Sequence, residues 1–360
     1  MKANETVLTS TDMLRAFMER DASYDGLFFA AVTTTGIYCR PSCSARKPKP
    51  ENVRFFADAA DAVHEGFRAC LRCKPDEAVA AVPDWVAELA SRAESGERLT
   101  DSELASEGVN PIVARRAFRK AYGMTFQAYC RSARVAHAFA GLKGGKRIDD
   151  AVFDSGWESH SGFRDAFTKA AGSPPGAAAR RDYIRLTWIQ TPLGQMVAGA
   201  TEDSICLLEF NEPERVAAQL GSLCRTLGIA PLAAESELFV PLRAQLSEYF
   251  AGERRQFDLP ISYHGTDFQQ KVWDALLRIP YGETCSYAEL ARDIGTPHAH
   301  RAVGNANGRN RIAVLVPCHR VIGNDGSICG YGGGVWRKLR LLETEAPQRS
   351  EPKPLTGRVV

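Results

Sequence analysis

By apolar pattern the chain falls into three stretches. From "PDWVAELASRAESGE" onward, apolar positions recur at helical spacing as far as about residue 182. There "GSPPGAAARRD" supplies a Gly/Pro/Ala break. Inside this stretch "LTDSELASEGVNPIVARRAFRKAYGMTFQAYCRSAR" and "RIDDAVFDSGWESHSGFRDAFTKAAGSPP" repeat one plan, a short helix, a turn and a second helix. From Tyr183 the pattern changes: "YIRLTWIQTPLGQMVAGATEDSICLLEF" reads as strands separated by Pro-Leu-Gly and Glu-Asp-Ser. A helical part follows from Phe268, with one helix over 287–294, a turn at 295–297 and a second helix over 298–307. "IAVLVPC" is wholly apolar and predicts a buried strand ending at Pro317. Before all this, residues 1 to about 80 hold four close-set cysteines and the turn-rich "RPSCSARKPKPEN". "APQRSEPKPLTGRVV", at the other end, predicts a disordered tail.

A length of 360 residues allows two or three domains. No run approaches the ~18 apolar residues of a membrane span, so no membrane partner is expected. The polar start "MKANETVLTSTDMLRAFMERD" lacks a secretory core, and a cytoplasmic location follows as the expectation. Ten cysteines in a reducing compartment point to metal binding or catalysis rather than disulfides. The formal charge of +2 hides an asymmetry. Nine Lys or Arg and no acid lie between Asn110 and Ile148, and four Arg and no acid between His298 and Asn324. Such stretches suit surfaces facing phosphate, or simply a solvated face.

Cys39 and Cys43, with Cys70 and Cys73, form two short-spaced pairs across a longer loop. This is the pattern of a tetrahedral four-cysteine zinc site, and a domain with so little core gains stability from a metal. The context "TTGIYCRPSCSAR" and "ENVRFFADAADAVHEGFRACLRCKPD" resembles, over residues 24 to 76, the zinc domain of the Ada family of adaptive-response DNA repair proteins. That resemblance implies that Cys39 is at once a ligand and an acceptor of methyl groups from DNA phosphotriesters. It also implies DNA contact by Thr35 and Arg46; Ser44 departs from the family's arginine.

The two helix-turn-helix plans resemble the DNA-binding domains of the AraC family, although helix-turn-helix patterns are loose and a plain helical bundle with a basic surface would share them. Ala114 and Gly162 depart from the larger apolar and aromatic residues usual there.

Cys318 in "VLVPCHRVIG" is, as an isolated Cys-His pair, more simply a packing thiol. The surroundings change that. "FQQKVWDALLRIPYGETCSYAELARDIGTPHAHRAVGNANGRNRIAVLVPCHRVIG" and "GYGGGVWRKLRLLETE" resemble the O6-alkylguanine-DNA alkyltransferases. The resemblance spans about 184 to 345 and implies the roles that follow. Cys318 accepts the alkyl group from O6 of guanine and more weakly from O4 of thymine. His319 deprotonates it through water, Glu345 orients His319, and Asn310 braces the turn. Tyr287 crowds the target phosphate and donates to the departing base, Tyr331 closes over the flipped base, and Arg301 fills the stack. On residues alone Arg301 reads more readily as a phosphate contact. A base must leave the duplex to meet a side chain fixed in a core. Cys130, Cys206, Cys224, Cys285 and Cys329 have no such context and read as packing thiols.

The expected architecture is a multidomain α+β chain. It joins a four-cysteine zinc domain (1–80), an all-α AraC-like double helix-turn-helix (83–182) and an α/β alkyltransferase domain with a winged-helix-like catalytic part (184–345). The tail is 346–360. The resemblances imply a single-turnover methyltransferase and transcription activator that binds one Zn²⁺ and double-stranded DNA. It acts as a monomer, and RNA polymerase is a candidate partner. Two other readings stay open: a repair protein without activation, and a lesion-binding regulator without repair.

Overall fold

The computed structural model describes residues 9–346 apart from 22–23, 58, 76–81, 98, 173, 179–181 and 329. The tail from 347 onward and Cys329 therefore lie outside the described residues.

The first unit runs α1 (Ser10–Glu19), β1 (Phe29–Val32), β2 (Ile37–Cys39), β3 (Val53–Phe56), α2 (Ala59–His64) and β4 (Arg68–Ala69). Its sheet has the order β3-β1-β2-β4, with β1 antiparallel to both neighbours and β2 parallel to β4. Alternation along β1 sends Ala30 to a core with Phe17, Phe28, Cys39, Cys43 and Cys70. Ala31 goes to the other face, with Tyr38, Ala62 and Phe67.

Seven helices follow: α3 (Asp84–Glu94), α4 (Asp101–Ser106), α5 (Pro111–Tyr122), α6 (Phe126–Lys143), α7 (Ile148–Asp154), α8 (His160–Ala171) and α9 (Pro175–Ala178). Side chains cap four of their starts. Thr100 and Glu103 form a capping box before α4, Asn110 caps α5 ahead of Pro111, Thr125 caps α6 and Ser159 caps α8. α6 is long enough to serve two cores. Its first half packs with Val86, Leu104 and Phe118, its second half with Val152, Phe163 and Phe167. Ala114 is fully buried in the same core as Phe118 and Tyr122.

The last unit has β5 (Ile184–Ile189), β6 (Met196–Ala200), β7 (Ile205–Phe210), α10 (Pro213–Leu227), β8 (Pro231–Ala233) and α11 (Phe239–Phe250). It continues with α12 (Asp267–Leu277), β9 (Cys285–Ser286), α13 (Tyr287–Asp293), α14 (His300–Gly308), β10 (Val321–Ile322) and α15 (Val335–Glu345). The larger sheet runs β7-β6-β5-β8, and β9 pairs with β10 in parallel. α10 covers one face of the larger sheet, with Leu223 against Ile184, Val197 and Leu207. The other face opens into the largest core of the chain, shared with α11, α12, α14 and α15.

α10 and α11 were not expected from the sequence reading. The apolar run also differs from its expectation. Residues 312–317 form no strand: Ile312 makes a lone bridge to Leu208, and the chain then turns, with Val314 in the left-handed region at φ 72°. Uniform apolarity reports burial, not backbone shape. Here the side chain of Asn310 satisfies Ile312 N and the Val316 carbonyl, and Leu208 of β7 satisfies Ala313 N and the Arg311 carbonyl, in place of a full strand ladder.

Candidate active sites

Cys318 begins a single 3₁₀ turn, Cys318–Arg320, and its three side chains point into the protein. The thiol is 5% exposed. Asn310, following the end of α14, is the hub beneath it. Its Nδ2 donates to Cys318 Sγ at 3.0 Å and to the Val316 carbonyl at 2.9 Å, and its Oδ1 accepts from Ile312 N at 3.0 Å. One amide thus fixes the turn and touches the sulfur. Asn307 Nδ2 donates to the Cys318 carbonyl at 3.3 Å.

His319 is fully buried, and its Nε2 meets Glu345 Oε1 at 2.8 Å. Its Nδ1 has no partner among the described residues. Glu345 collects further donors: Arg320 Nε at 2.7 Å and Nη2 at 2.9 Å, and the Tyr249 hydroxyl at 2.7 Å. Burial would raise the Glu345 pKa, but hydrogen bonds from His319 and Arg320 overturn this and hold it at about 2. Burial pushes the His319 imidazole below its ordinary range, only partly opposed by Glu345. Burial likewise raises the Cys318 thiol, opposed by the Asn310 hydrogen bond. At rest the site holds a neutral thiol, a neutral imidazole and an ionised carboxylate.

The structure therefore brings Cys318, His319, Asn310 and Glu345 into one cluster. Tyr287 and Tyr331 line the small pocket above the thiol, about 40 Å³, and the Tyr331 hydroxyl is buried there with no partner among the described residues. Arg301 is apart, exposed on α14. Thr35 and Arg46 are exposed on the zinc domain, and Thr35 Oγ1 donates to the Val32 carbonyl at 3.4 Å.

Sequence reasoning missed four members of the Cys318 neighbourhood. Arg320 and Tyr249 complete the Glu345 network. Arg215, from α10, enters the pocket wall in a two-point pair with buried Glu209, at 3.0 and 2.8 Å. A Cβ at Gly332 would lie 2.2 Å from the Arg215 guanidinium carbon, so any side chain there would have to displace Arg215 from its pair with Glu209. Arg320 stood beside Cys318 in the chain and could have been read from its position. Glu209, Arg215 and Tyr249 lie far off in sequence and carried no local signal.

In the zinc domain Cys39 closes β2, Cys43 lies in the turn after it, Cys70 follows β4 and Cys73 lies in the next turn. The parallel pairing of β2 with β4, extended by Cys70 N donating to the Tyr38 carbonyl at 3.0 Å, draws the two pairs together. All four Sγ atoms lie within 4.8 Å of one another, and Cys43 and Cys70 are 4.0 Å apart. Sulfurs on a tetrahedron with ~2.3 Å bonds to zinc sit ~3.8 Å apart, so the donor set fits that ion. Asp25, also unforeseen, braces the loop by accepting from Ser42 N at 2.9 Å and from its hydroxyl. Cys130 and Cys206 are buried with thiols raised to about 12, foremost by desolvation, as expected of packing residues. Cys224 and Cys285 are half-buried, and their thiols are raised too.

Four family models match in succession. They are the metal binding domain of Ada at 12–76, a helix-turn-helix domain at 105–181, and the ribonuclease-like and DNA binding domains of 6-O-methylguanine DNA methyltransferase at 184–263 and 267–347. Fold and sites together define a cysteine-dependent DNA repair methyltransferase, joined to a helix-turn-helix segment and a domain with a single zinc site at Cys39, Cys43, Cys70 and Cys73. The bifunctional transcriptional activator/DNA repair enzyme Ada of Escherichia coli K12 is 33% identical over 351 residues, covering 95% of this chain and 98% of its own. The regulatory protein ada of Salmonella typhimurium LT2 is 36% identical, covering 91% and 94%. The chain belongs to the Ada family of bifunctional activators and repair enzymes. Among solved structures, Mycobacterium tuberculosis OGT in complex with DNA is 44% identical (46% of this chain, 95% of that one, TM-score 0.39). The methylated N-Ada/DNA complex is 35% identical (35% and 98%, TM-score 0.29).

Proposed function

We propose that Cys318 irreversibly takes methyl groups from O6-methylguanine, and more weakly from O4-methylthymine, while Cys39 takes them from DNA methylphosphotriesters. The cluster of Asn310, Cys318, His319 and Glu345 carries this reading. His319 presents its unpartnered Nδ1, through one water, as acceptor for the thiol proton. Glu345, ionised throughout, stabilises the imidazolium that forms. Asn310 donates to the sulfur as charge develops. The sulfur–carbon bond forms as the carbon–O6 bond breaks, and the electron pair passes to the base. Tyr287 donates at the departing base, which ends with the proton that the thiol gave up. Tyr331 closes over the flipped base and Arg301 fills its place in the stack. The resulting thioether has no leaving group, so each chain reacts once.

Residues 1–80, 83–182 and 184–345 are the three working domains in this reading. Thr35 and Arg46 touch DNA beside Cys39. Four thiolates on one divalent cation sum to about −2, and methylating Cys39 halves this. One charge at roughly 10 Å in water is worth ~0.4 kcal/mol per phosphate, and several phosphates add. Repair at Cys39 thereby strengthens operator binding, and the modified protein activates transcription with RNA polymerase. The chain acts as a monomer in the cytoplasm; among the described residues no helix is long and apolar enough to cross a membrane.

Titration against duplexes carrying labelled O6-methylguanine tests the reading. One methyl per chain and then arrest is expected, and continued turnover would contradict it.

A further inference from the structure

The two oxygens of Glu345 are loaded unevenly. Oε2 accepts from Arg320 Nε at 2.7 Å and from Gly282 N at 3.3 Å. Oε1 meets three donors: His319 Nε2 at 2.8 Å, Arg320 Nη2 at 2.9 Å and the Tyr249 hydroxyl at 2.7 Å. A carboxylate oxygen has about two lone-pair sites, so a third donor competes with the other two. The ionised Glu345 fixes the proton of His319 on Nε2 and leaves Nδ1 as the acceptor. Tyr249 thus draws on the same atom that holds the imidazole.

The phenol is held in place. Tyr249 is fully buried on α11, 96 positions before Glu345. Its ring centroid lies 5.3 Å from that of Phe250, 5.4 Å from that of Phe257 and 6.2 Å from that of Tyr281. The end of α15 is clamped as well: a Cβ at Gly282 would lie 2.7 Å from the Glu345 carbonyl oxygen.

The charges around His319 make Oε1 decisive. Burial disfavours the imidazolium, Arg320 of the same turn and Lys338 of α15 add to this, and Glu345 opposes them. Tyr281, ahead of β9, faces both Tyr249 and Glu345, Arg255 faces Tyr281, and Tyr331 faces Tyr249 and Cys318. α12 also packs on the turn, but its ionisable residues Asp267, Lys271 and Asp274 are exposed. When His319 takes the thiol proton, the imidazolium neutralises part of the Glu345 charge, and Tyr249 is left donating to a weaker acceptor. The phenol bond therefore favours the neutral imidazole.

We propose that Tyr249 is a positioning residue for base repair: by competing for Glu345 Oε1 it keeps His319 a weak base, so that the proton drawn from Cys318 passes on to the departing base instead of staying on the imidazole. The inference rests on His319 being the base for Cys318.

The test follows single-turnover repair of an O6-methylguanine duplex by the full chain against pH, in the wild type, Tyr249→Phe and Tyr249→3-fluorotyrosine. Phenylalanine removes the donor and fluorine strengthens it. Both keep the ring, and Glu345 retains four other hydrogen bonds. The acid limb, where His319 becomes protonated, should rise by about half a pH unit or more in Tyr249→Phe and fall in the fluorinated chain. The Nε2 proton of His319, identified in the proton spectrum by its absence from His319→Gln, should move downfield in Tyr249→Phe and upfield in the fluorinated chain. A phenol that only fills space would not shift these readouts in opposite directions. Unchanged values, or shifts of one sign in both variants, would overturn the proposal. Should Tyr249→Phe misfold, the fluorinated chain decides alone. His319→Gln should repair at least about 10²-fold more slowly; repair at the wild-type rate would overturn instead the reading of His319 as the base, and this inference with it.

Discussion

Cys39 and Cys318 are each 5% exposed, yet their surroundings have almost nothing in common. Cys39 ends a three-residue strand, in a domain whose core holds three of its own four sulfurs. In the proposed reaction its nucleophilicity comes from a cation shared with Cys43, Cys70 and Cys73. Cys318 sits in the largest core among the described residues, where an amide donates to it and an imidazole and a carboxylate are locked in place beside it. A thiolate can therefore be prepared by binding it or by arranging for its proton to leave. The first route ties reactivity to the folding of a small domain; the second ties it to a hydrogen-bond network.

The sharpest way to break the comparison is to remove each activator separately. Cys318→Ala should abolish methyl transfer from bases and leave transfer to Cys39 intact, measured with duplexes carrying one lesion type each. A zinc chelator should do the reverse: it should eliminate transfer to Cys39 and unfold the first domain in circular dichroism, with base repair unchanged. Next in size, Glu345→Gln should slow single-turnover base repair by about 10²–10³-fold. It also leaves Arg320 buried without its partner, a destabilisation of about 3–5 kcal/mol readable in urea unfolding.

A pH profile sharpens the contrast. Burial raises the Cys318 thiol above its usual 9.0 and lowers His319 below its usual 6.5. The rate at Cys318 should therefore stay level between pH 6.5 and 9.0, because the reactive pair, a neutral thiol beside a neutral imidazole, is populated throughout that range. A rate that climbs about tenfold per pH unit there would mean that the thiolate forms without His319 and would contradict the mechanism. Glu345 acts at the acid end. Its folded-state pKa lies below the ordinary 4.5, so the stability it lends is present above that value and fades as pH falls toward about 2. The smallest effect is expected at Arg301, exposed on α14: Arg301→Ala should slow repair in duplex DNA by about tenfold or less and leave a single-stranded substrate unaffected.

What the sequence disclosed was local. The cysteine pairs announce themselves by short spacing, and Cys318-His319 by the residues around it. Asn310 and Glu345 came with that resemblance, and the structure brings both to the same turn. What stayed hidden depends on distant chain meeting chain. Glu209 and Arg215 reach the pocket from another subdomain, Tyr249 meets Glu345 across 96 positions, and Trp188 finds its partners in helices before it. α10 is a different case, since Val216, Leu220, Leu223 and Leu227 recur at helical spacing and the signal was there to be read. "IAVLVPC" failed for a third reason: burial was correctly inferred, but its backbone is satisfied by the amide of Asn310, by Leu208 of β7 and by bonds within the segment rather than by a strand ladder.

Peptide mapping by mass spectrometry, after exposure to DNA bearing both methylated bases and methylphosphotriesters, tests the central claim most directly. One methyl group on the peptide containing Cys39 and one on the peptide containing Cys318, with every other cysteine unmodified, is the predicted result. Methylation of neither sulfur, or of a packing thiol such as Cys206 in place of Cys318, would contradict it.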